Sequence, residues 1–184
     1  SLKPANADIQ IRLGKVFSDK KDLDGALTAY ENAIRLNPGD AESQYQLGKV
    51  LASKQQYKKA QLVLEQALSL RPDHVPTFYE LGRVLSAEGN YGDAEGLLVK
   101  AVEKARGNVR YLLALSKAQV ENKKYDSALD YLFEAVKFEP DNTDAIFAMC
   151  NTYSKKKYYK VAIDHCETAL KLSSEDSGIM NRLA

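Results

Sequence analysis

Apolar residues recur in this chain at helical spacing, in paired blocks separated by polar turns. Phe78, Leu81, Gly82 and Leu85 fall at i, i+3, i+4 and i+7, which places them on one face of a helix. After the turn residues Gly89-Asn90 a second stripe follows in Ala94, Leu98, Ala101 and Val102, predicting a second helix. No run alternates apolar and polar residues as a half-buried strand would, so every predicted element is a helix.

The two-helix block repeats every 34 residues without insertion from residue 7 to residue 176. Five frames begin at Ala7, Ala41, Val75, Val109 and Thr143. Position twenty is always alanine (Ala26, Ala60, Ala94, Ala128, Ala162), and so is position twenty-seven (Ala33, Ala67, Ala101, Ala135, Ala169). Position seven is large and apolar (Leu13, Leu47, Leu81, Leu115, Met149), while position eight is small (Gly14, Gly48, Gly82, Ser116, Cys150). Position seventeen is Leu23 and then Tyr57, Tyr91, Tyr125 and Tyr159, and position twenty-four is Tyr30, Leu64, Leu98, Leu132 and Cys166. The small columns let two helix backbones approach, and the remaining apolar residues can be buried only against the next pair, so the units must stack.

Frames close in motifs such as Leu36-Asn37-Pro38-Gly39-Asp40 and Phe138-Glu139-Pro140-Asp141-Asn142, where proline forbids helix continuation and Asp or Asn can cap the next helix. The third frame instead carries Lys104 and Arg106. Its second helix is therefore expected to run on to Gly107-Asn108, ending in the left-handed conformation and making the next step irregular. Gln119 stands where other frames have Phe, Leu or Tyr, which weakens packing there or turns a polar group toward a partner. Residues 1–6 match the end of a preceding frame, Leu2 and Pro4 falling in the columns of Leu36 and Pro38. The phase continues past residue 176 through Ile179, Met180, Leu183 and Ala184, so the expectation is one array over residues 1–184, cut from a longer one, with a capping or further helix starting at about residue 177.

Charge narrows the choice of partners. The 26 Lys and Arg nearly balance the 25 Asp and Glu for a net charge of +1, so no global field draws the chain to nucleic acid or an anionic membrane. The 45% hydrophobic and 28% charged composition is that of a soluble globular protein, and no apolar stretch approaches the roughly 20 residues a membrane helix needs. A cytoplasmic location is the expectation. Two cysteines, Cys150 and Cys166, fall in core columns and read as unbonded buried hydrophobes. Together with the separated His74 and His165 they predict neither a disulfide framework nor a metal cluster. Asp22, Asp24, Gly25 and Glu31 imitate part of a calcium loop, but Lys20 occupies the first ligand position, and a cation cannot coordinate calcium. No nucleophile elbow, phosphate-binding glycine loop or His-Glu-x-x-His helix is present, so no enzyme activity, metal or cofactor is expected. The lysine-rich turns Lys20-Lys21, Lys123-Lys124 and Lys155-Lys156-Lys157 read as solvated.

The period, with its Leu-Gly, Ala and Pro columns, resembles the tetratricopeptide repeat over nearly the whole chain. That resemblance implies an all-α fold, a right-handed α-solenoid of antiparallel helix pairs, whose first helices line a concave groove that binds segments of other proteins through positions two, five, six, nine, twelve and thirteen. Position five here is an apolar and aromatic lane (Ile11, Tyr45, Tyr79, Leu113, Phe147). Position nine is Lys15, Lys49, Arg83, Lys117 and Asn151, four cations where the family usually has asparagine. Position twelve (Ser18, Ala52, Ser86, Val120, Ser154) leaves an open floor. These nine residues of positions five and nine are the candidate peptide-binding site, and they suit an acidic peptide with aromatic or aliphatic anchors. The family's two-carboxylate clamp for C-terminal peptides is not matched: Ile11 with Lys15 fails its first helix, Gln46 only approximates the second, and Pro76 with Glu80 fails the third. The expected role is a protein-interaction scaffold. The alternative is an assembly protein that self-associates through repeat ends or edges, with Ile179, Met180 and Leu183 as its apolar end.

Overall fold

The computed structural model describes the backbone of residues 4–183 and the side chains of residues 6–174. Leu2 and Ala184 lie outside the described residues, as do the side chains of Pro4, Ile179, Met180 and Leu183. Among the described residues every regular element is a helix: α1 (Pro4–Asp19), α2 (Leu23–Leu36), α3 (Ala41–Ser53), α4 (Tyr57–Leu70), α5 (Val75–Ala87), α6 (Tyr91–Lys104), α7 (Val109–Glu121), α8 (Tyr125–Phe138), α9 (Thr143–Lys155) and α10 (Tyr159–Leu183). Four first helices begin where the sequence frames begin, at Ala41, Val75, Val109 and Thr143. The chain forms two compact units, Ser1–Leu97 and Leu98–Ala184, with the boundary inside α6.

In the first unit α1 pairs with α2 and α3 with α4, and α2 packs on α3 as α4 does on α5. Close pairing depends on the missing side chain at position eight. A Cβ on Gly14 would lie 2.7 Å from the Tyr30 ring, and one on Gly48 would lie 2.5 Å from Leu64 Cγ, both well inside contact. The large residue at position twenty-four fills the notch the glycine leaves. Tyr30, Leu64 and the alanines at positions twenty and twenty-seven are accordingly buried.

The second unit repeats this in α7 with α8 and α9 with α10, while α8 packs on α9. Leu129, Leu132 and Met149 form its core, with Leu113, Val136, Ala148 and Tyr153 packed around them. In its last pair the cysteines depart from the expectation of unbonded thiols: Cys150 and Cys166 form a disulfide, with Cα atoms 5.2 Å apart. The reason lies in the same contact. Positions eight and twenty-four touch across each helix pair, so two cysteines there meet sulfur to sulfur where other frames set glycine against tyrosine or leucine.

The turns inside each pair share one backbone solution. At position fifteen φ is positive in every frame: 61° at Lys21, 58° at Gln55, 85° at Gly89, 62° at Lys123 and 67° at Lys157. The next N–H donates back to the carbonyl of position eleven, as from Asp22 to Phe17 (2.9 Å) and from Lys124 to Gln119 (2.8 Å), closing the first helix with a left-handed cap. Only Gly89 takes this conformation without the steric cost of a Cβ. Between pairs, Asp40, Asn108 and Asn142 accept hydrogen bonds from the N–H groups of Ser43 (2.8 Å), Tyr111 (3.2 Å) and Ala145 (2.8 Å), as their columns predict.

Two details differ from the sequence reading. α6 stops at Lys104 rather than running on to Gly107-Asn108; the turn that follows places Gly107 at φ 81°, beside the Phe138 ring, where a Cβ would come within 3.0 Å. At the other end α10 continues from Tyr159 to Leu183 in one helix, with no break near residue 177, because residues 172–176 contain neither proline nor glycine to stop it.

Gly89→Ala should destabilise the fold by about 1 to 2 kcal/mol, since nothing lies within 4 Å of the added methyl and the whole cost is the left-handed backbone. Gln55→Gly should be neutral or stabilising. Denaturant midpoints check both, and an unchanged midpoint for Gly89→Ala would contradict the turn geometry. Reduction of Cys150–Cys166, which closes a loop of sequence separation 16, should lower stability by about 3 kcal/mol in melts with and without reductant.

Candidate functional site

Each first helix exposes one face after its position-seven and position-ten residues are buried, and that face carries positions two, five, six, nine, twelve and thirteen. In the first unit, Ile11 is half-buried and Lys15 exposed on α1. On α3 the Lys49 ammonium sits over the Tyr45 ring, 5.3 Å from its centroid, and on α5 Arg83 sits 5.5 Å from the Tyr79 centroid. Each pair is i and i+4 on one helix, so the two predicted lanes interact with each other before any ligand arrives.

Polar groups next to these lanes are also engaged. Gln46 Nε2 donates to Glu42 Oε1 (2.7 Å) and Lys49 Nζ donates to Gln46 Oε1 (3.3 Å), forming a chain along α3. Arg83 Nη1 donates to the buried Glu80 carboxylate at 2.8 Å. Sequence reasoning used Glu80 only to reject a peptide clamp. Its i,i+3 spacing to Arg83 was the signal that part of the basic lane is neutralised at this repeat. His74 precedes α5 where other frames have Asp or Asn, and its Nδ1 lies 2.6 Å from Thr77 Oγ1. Its ring meets Tyr45 edge-on at 5.0 Å. Burial, reinforced by Arg71 and opposed by Glu42, holds the imidazole below its ordinary pKa.

In the second unit the predicted residues converge. Leu113 and Lys117 of α7 and Phe147 and Asn151 of α9 line one cleft of about 780 Å³. Its floor is the apolar Val120 and Ala148, and Phe147 is 52% exposed there, a large ring held at the surface of the cleft. Asp144 stands at one end, and the ion pair between Lys155 Nζ and Glu121 Oε1 (2.8 Å) closes the other. That pair joins position thirteen of two adjacent frames, a repeat offset that the turn-lysine reading passed over. Lys156 likewise pairs with Asp126, and Lys54 with Asp24, each from position fourteen of one frame to position eighteen of the frame before. The lysines of these turns are therefore partly ladder residues and not only solvated ones.

Among the described residues no cluster of three or more His, Cys, Asp or Glu could hold a metal ion, and no helix is long and apolar enough to cross a membrane. The geometry is that of a binding surface built on a repeat. Two family models match the sequence, the TPR repeat over residues 14–55 and the tetratricopeptide repeat over residues 51–118 and 85–150. The chain belongs to the tetratricopeptide repeat family. No curated protein matches this TPR chain in sequence. Solved TPR structures do: MamA residues 41-end from Desulfovibrio magneticus RS-1, at 23% identity and TM-score 0.86, covers 92% of this chain and 96% of its own. A MamA RS-1 double mutant, at 24% identity and TM-score 0.85, covers 94% and 97%. YrrB, described as a TPR protein with an unusual peptide-binding site, is 25% identical with TM-score 0.76 over 89% of this chain and 84% of its own. The TPR chain is thus an all-α protein of the α-solenoid class. TPR membership supports a protein-interaction scaffold, in a family that is generally non-enzymatic.

Because the folded state disfavours protonated His74, the unfolded chain binds its proton more readily. The stability this residue contributes is complete above the ordinary imidazole pKa of 6.5 and is lost as pH falls below it. His74→Asn should remove that slope while restoring an ordinary helix cap. Urea midpoints between pH 7.5 and 5 check this, and an equally steep fall in the variant would contradict it.

Proposed function

We propose that the chain holds an extended acidic segment of another protein, with an aromatic or aliphatic anchor of that segment seated in the cleft between α7 and α9. The observation that carries this is Phe147: a half-exposed ring, with Leu113 and Val120 beside it and the Lys117 ammonium on the facing helix. An apolar anchor gains burial on that floor, and each partly exposed ion pair contributes roughly 0.2 to 1 kcal/mol. Lys15, Lys49 and Arg83 extend the same preference to the first unit, where the cation–aromatic stacking on Tyr45 and Tyr79 holds the side chains along the helix surface. Lys117 and Lys15 are the strongest members of the lane, since Arg83 is shared with Glu80 and Lys49 with Gln46.

A displayed library of acidic nonapeptides, each carrying one Phe or Leu, is the test. Selection on the wild-type chain should enrich peptides with acid flanking the anchor, read by fluorescence anisotropy. Replacing Lys49, Arg83 and Lys117 with alanine should weaken those peptides by about threefold to a hundredfold and flatten their salt dependence. Phe147→Ala should weaken them with salt dependence intact. Peptides that bind both variants as tightly as wild type would place the docking surface elsewhere.

A further inference from the structure

Two helix faces at opposite ends of the repeat order are apolar and uncovered, and they are the two halves of an interface the molecule already contains. Its complete form is the contact of α8 with α9, where Leu129 and Val136, at positions twenty-one and twenty-eight, pack around Met149 at position seven. In α3, α5, α7 and α9 the residues at positions seven and ten are at most 6% exposed, Leu47 being the most open of them. In α1 the same positions are open, Leu13 at 40% and Val16 at 50%, with Ile9 exposed beside them. Positions seventeen, twenty-one and twenty-eight are partly or fully buried in the first four frames. In α10 they are Tyr159, Ile163 and Leu170, all exposed, Ile163 at 55% and Leu170 at 72%.

We propose that α10 of one copy receives α1 of a second copy, so that the incoming α1 lies on α10 as α9 lies on α8. Leu13 of the incoming copy then occupies the place of Met149, between Ile163 and Leu170, and Val16 packs one turn along. Nothing new has to be invented for this contact, because α2 on α3 and α4 on α5 use the same columns. The charge ladder continues in part. Asp19 of the incoming copy comes opposite Lys155, in the offset that pairs Lys155 with Glu121, while Lys20 comes opposite Lys160 at the solvated rim and subtracts a little. The apolar columns therefore provide the attraction and the charges adjust it. The contact takes a different face from each copy, so a joined pair still presents one free face of each kind and growth does not stop at two unless a ring closes. This association is independent of the α7–α9 cleft.

Sedimentation velocity of the 184-residue chain over a concentration series, without reductant, tests it. The wild-type sedimentation coefficient should rise with concentration. Val16→Glu and Ile163→Glu, both at exposed positions, should each remain monomeric, with melts confirming that they are folded. An equimolar mixture of the two should form a dimer and nothing larger, because one variant keeps its α10 face and the other its α1 face. Ile9→Glu with Leu170→Glu repeats the experiment on neighbouring residues. A wild-type chain that stays monomeric throughout, a single variant that associates like wild type, or a mixture that does not associate would each overturn the proposal.

Discussion

The contact between position eight and position twenty-four decides how close the two helices of each pair can lie. A glycine removes the side chain from one helix, and Tyr30 or Leu64 enters the space from the other. With alanine on either side of that contact, at positions twenty and twenty-seven, the backbones meet along the whole pair, and the apolar residues left over point outward toward the next pair. Stacking, the exposed faces of the first helices, and the regular offset of every groove position follow from that one approach. The disulfide is a chemical report of it: Cys150 and Cys166 can bond because the columns they occupy touch.

Once pairs stack at a fixed offset, any two columns that meet once meet again. This is why Lys54 and Lys156 find Asp24 and Asp126 through the same pair of positions, two and a half dozen residues apart in both cases. Exposed ion pairs of this kind each contribute little to stability, so the ladder is better understood as a consequence of register than as its cause. The same logic makes the binding surface a matter of columns. A cation repeated at position nine is carried to equivalent places on successive first helices, and only local neighbours, such as Glu80 beneath Arg83, distinguish one copy from another.

Helix number, frame boundaries and the buried alanine columns were readable from the chain because they depend on spacing and size, which repetition makes unambiguous. What escaped depends on pairs of columns or on backbone energy. Cys150 and Cys166 were read one column at a time, as small and buried, and the bond needed the knowledge that the two columns face each other. The left-handed turn was readable at Gly89 but hidden at Lys21, Gln55, Lys123 and Lys157, where a residue with a Cβ is held there by the surrounding hydrogen bonds. The α7–α9 cleft was half readable: Leu113, Lys117, Phe147 and Asn151 were named as lane residues, but their convergence with Val120 and the Glu121–Lys155 pair required the structure.

The central claim is that positions eight and twenty-four are one contact, and a double-mutant cycle at Gly48 and Leu64 tests it most directly. Gly48→Ala alone should destabilise by about 1 to 3 kcal/mol, because the new methyl has no room, and Leu64→Ala alone by about 2 to 5 kcal/mol, because it leaves a cavity. Combined, the methyl enters the space the leucine vacated, so the double variant should cost less than the sum by about 1 to 3 kcal/mol. Additive costs would mean that the two columns do not share a space and would contradict the account.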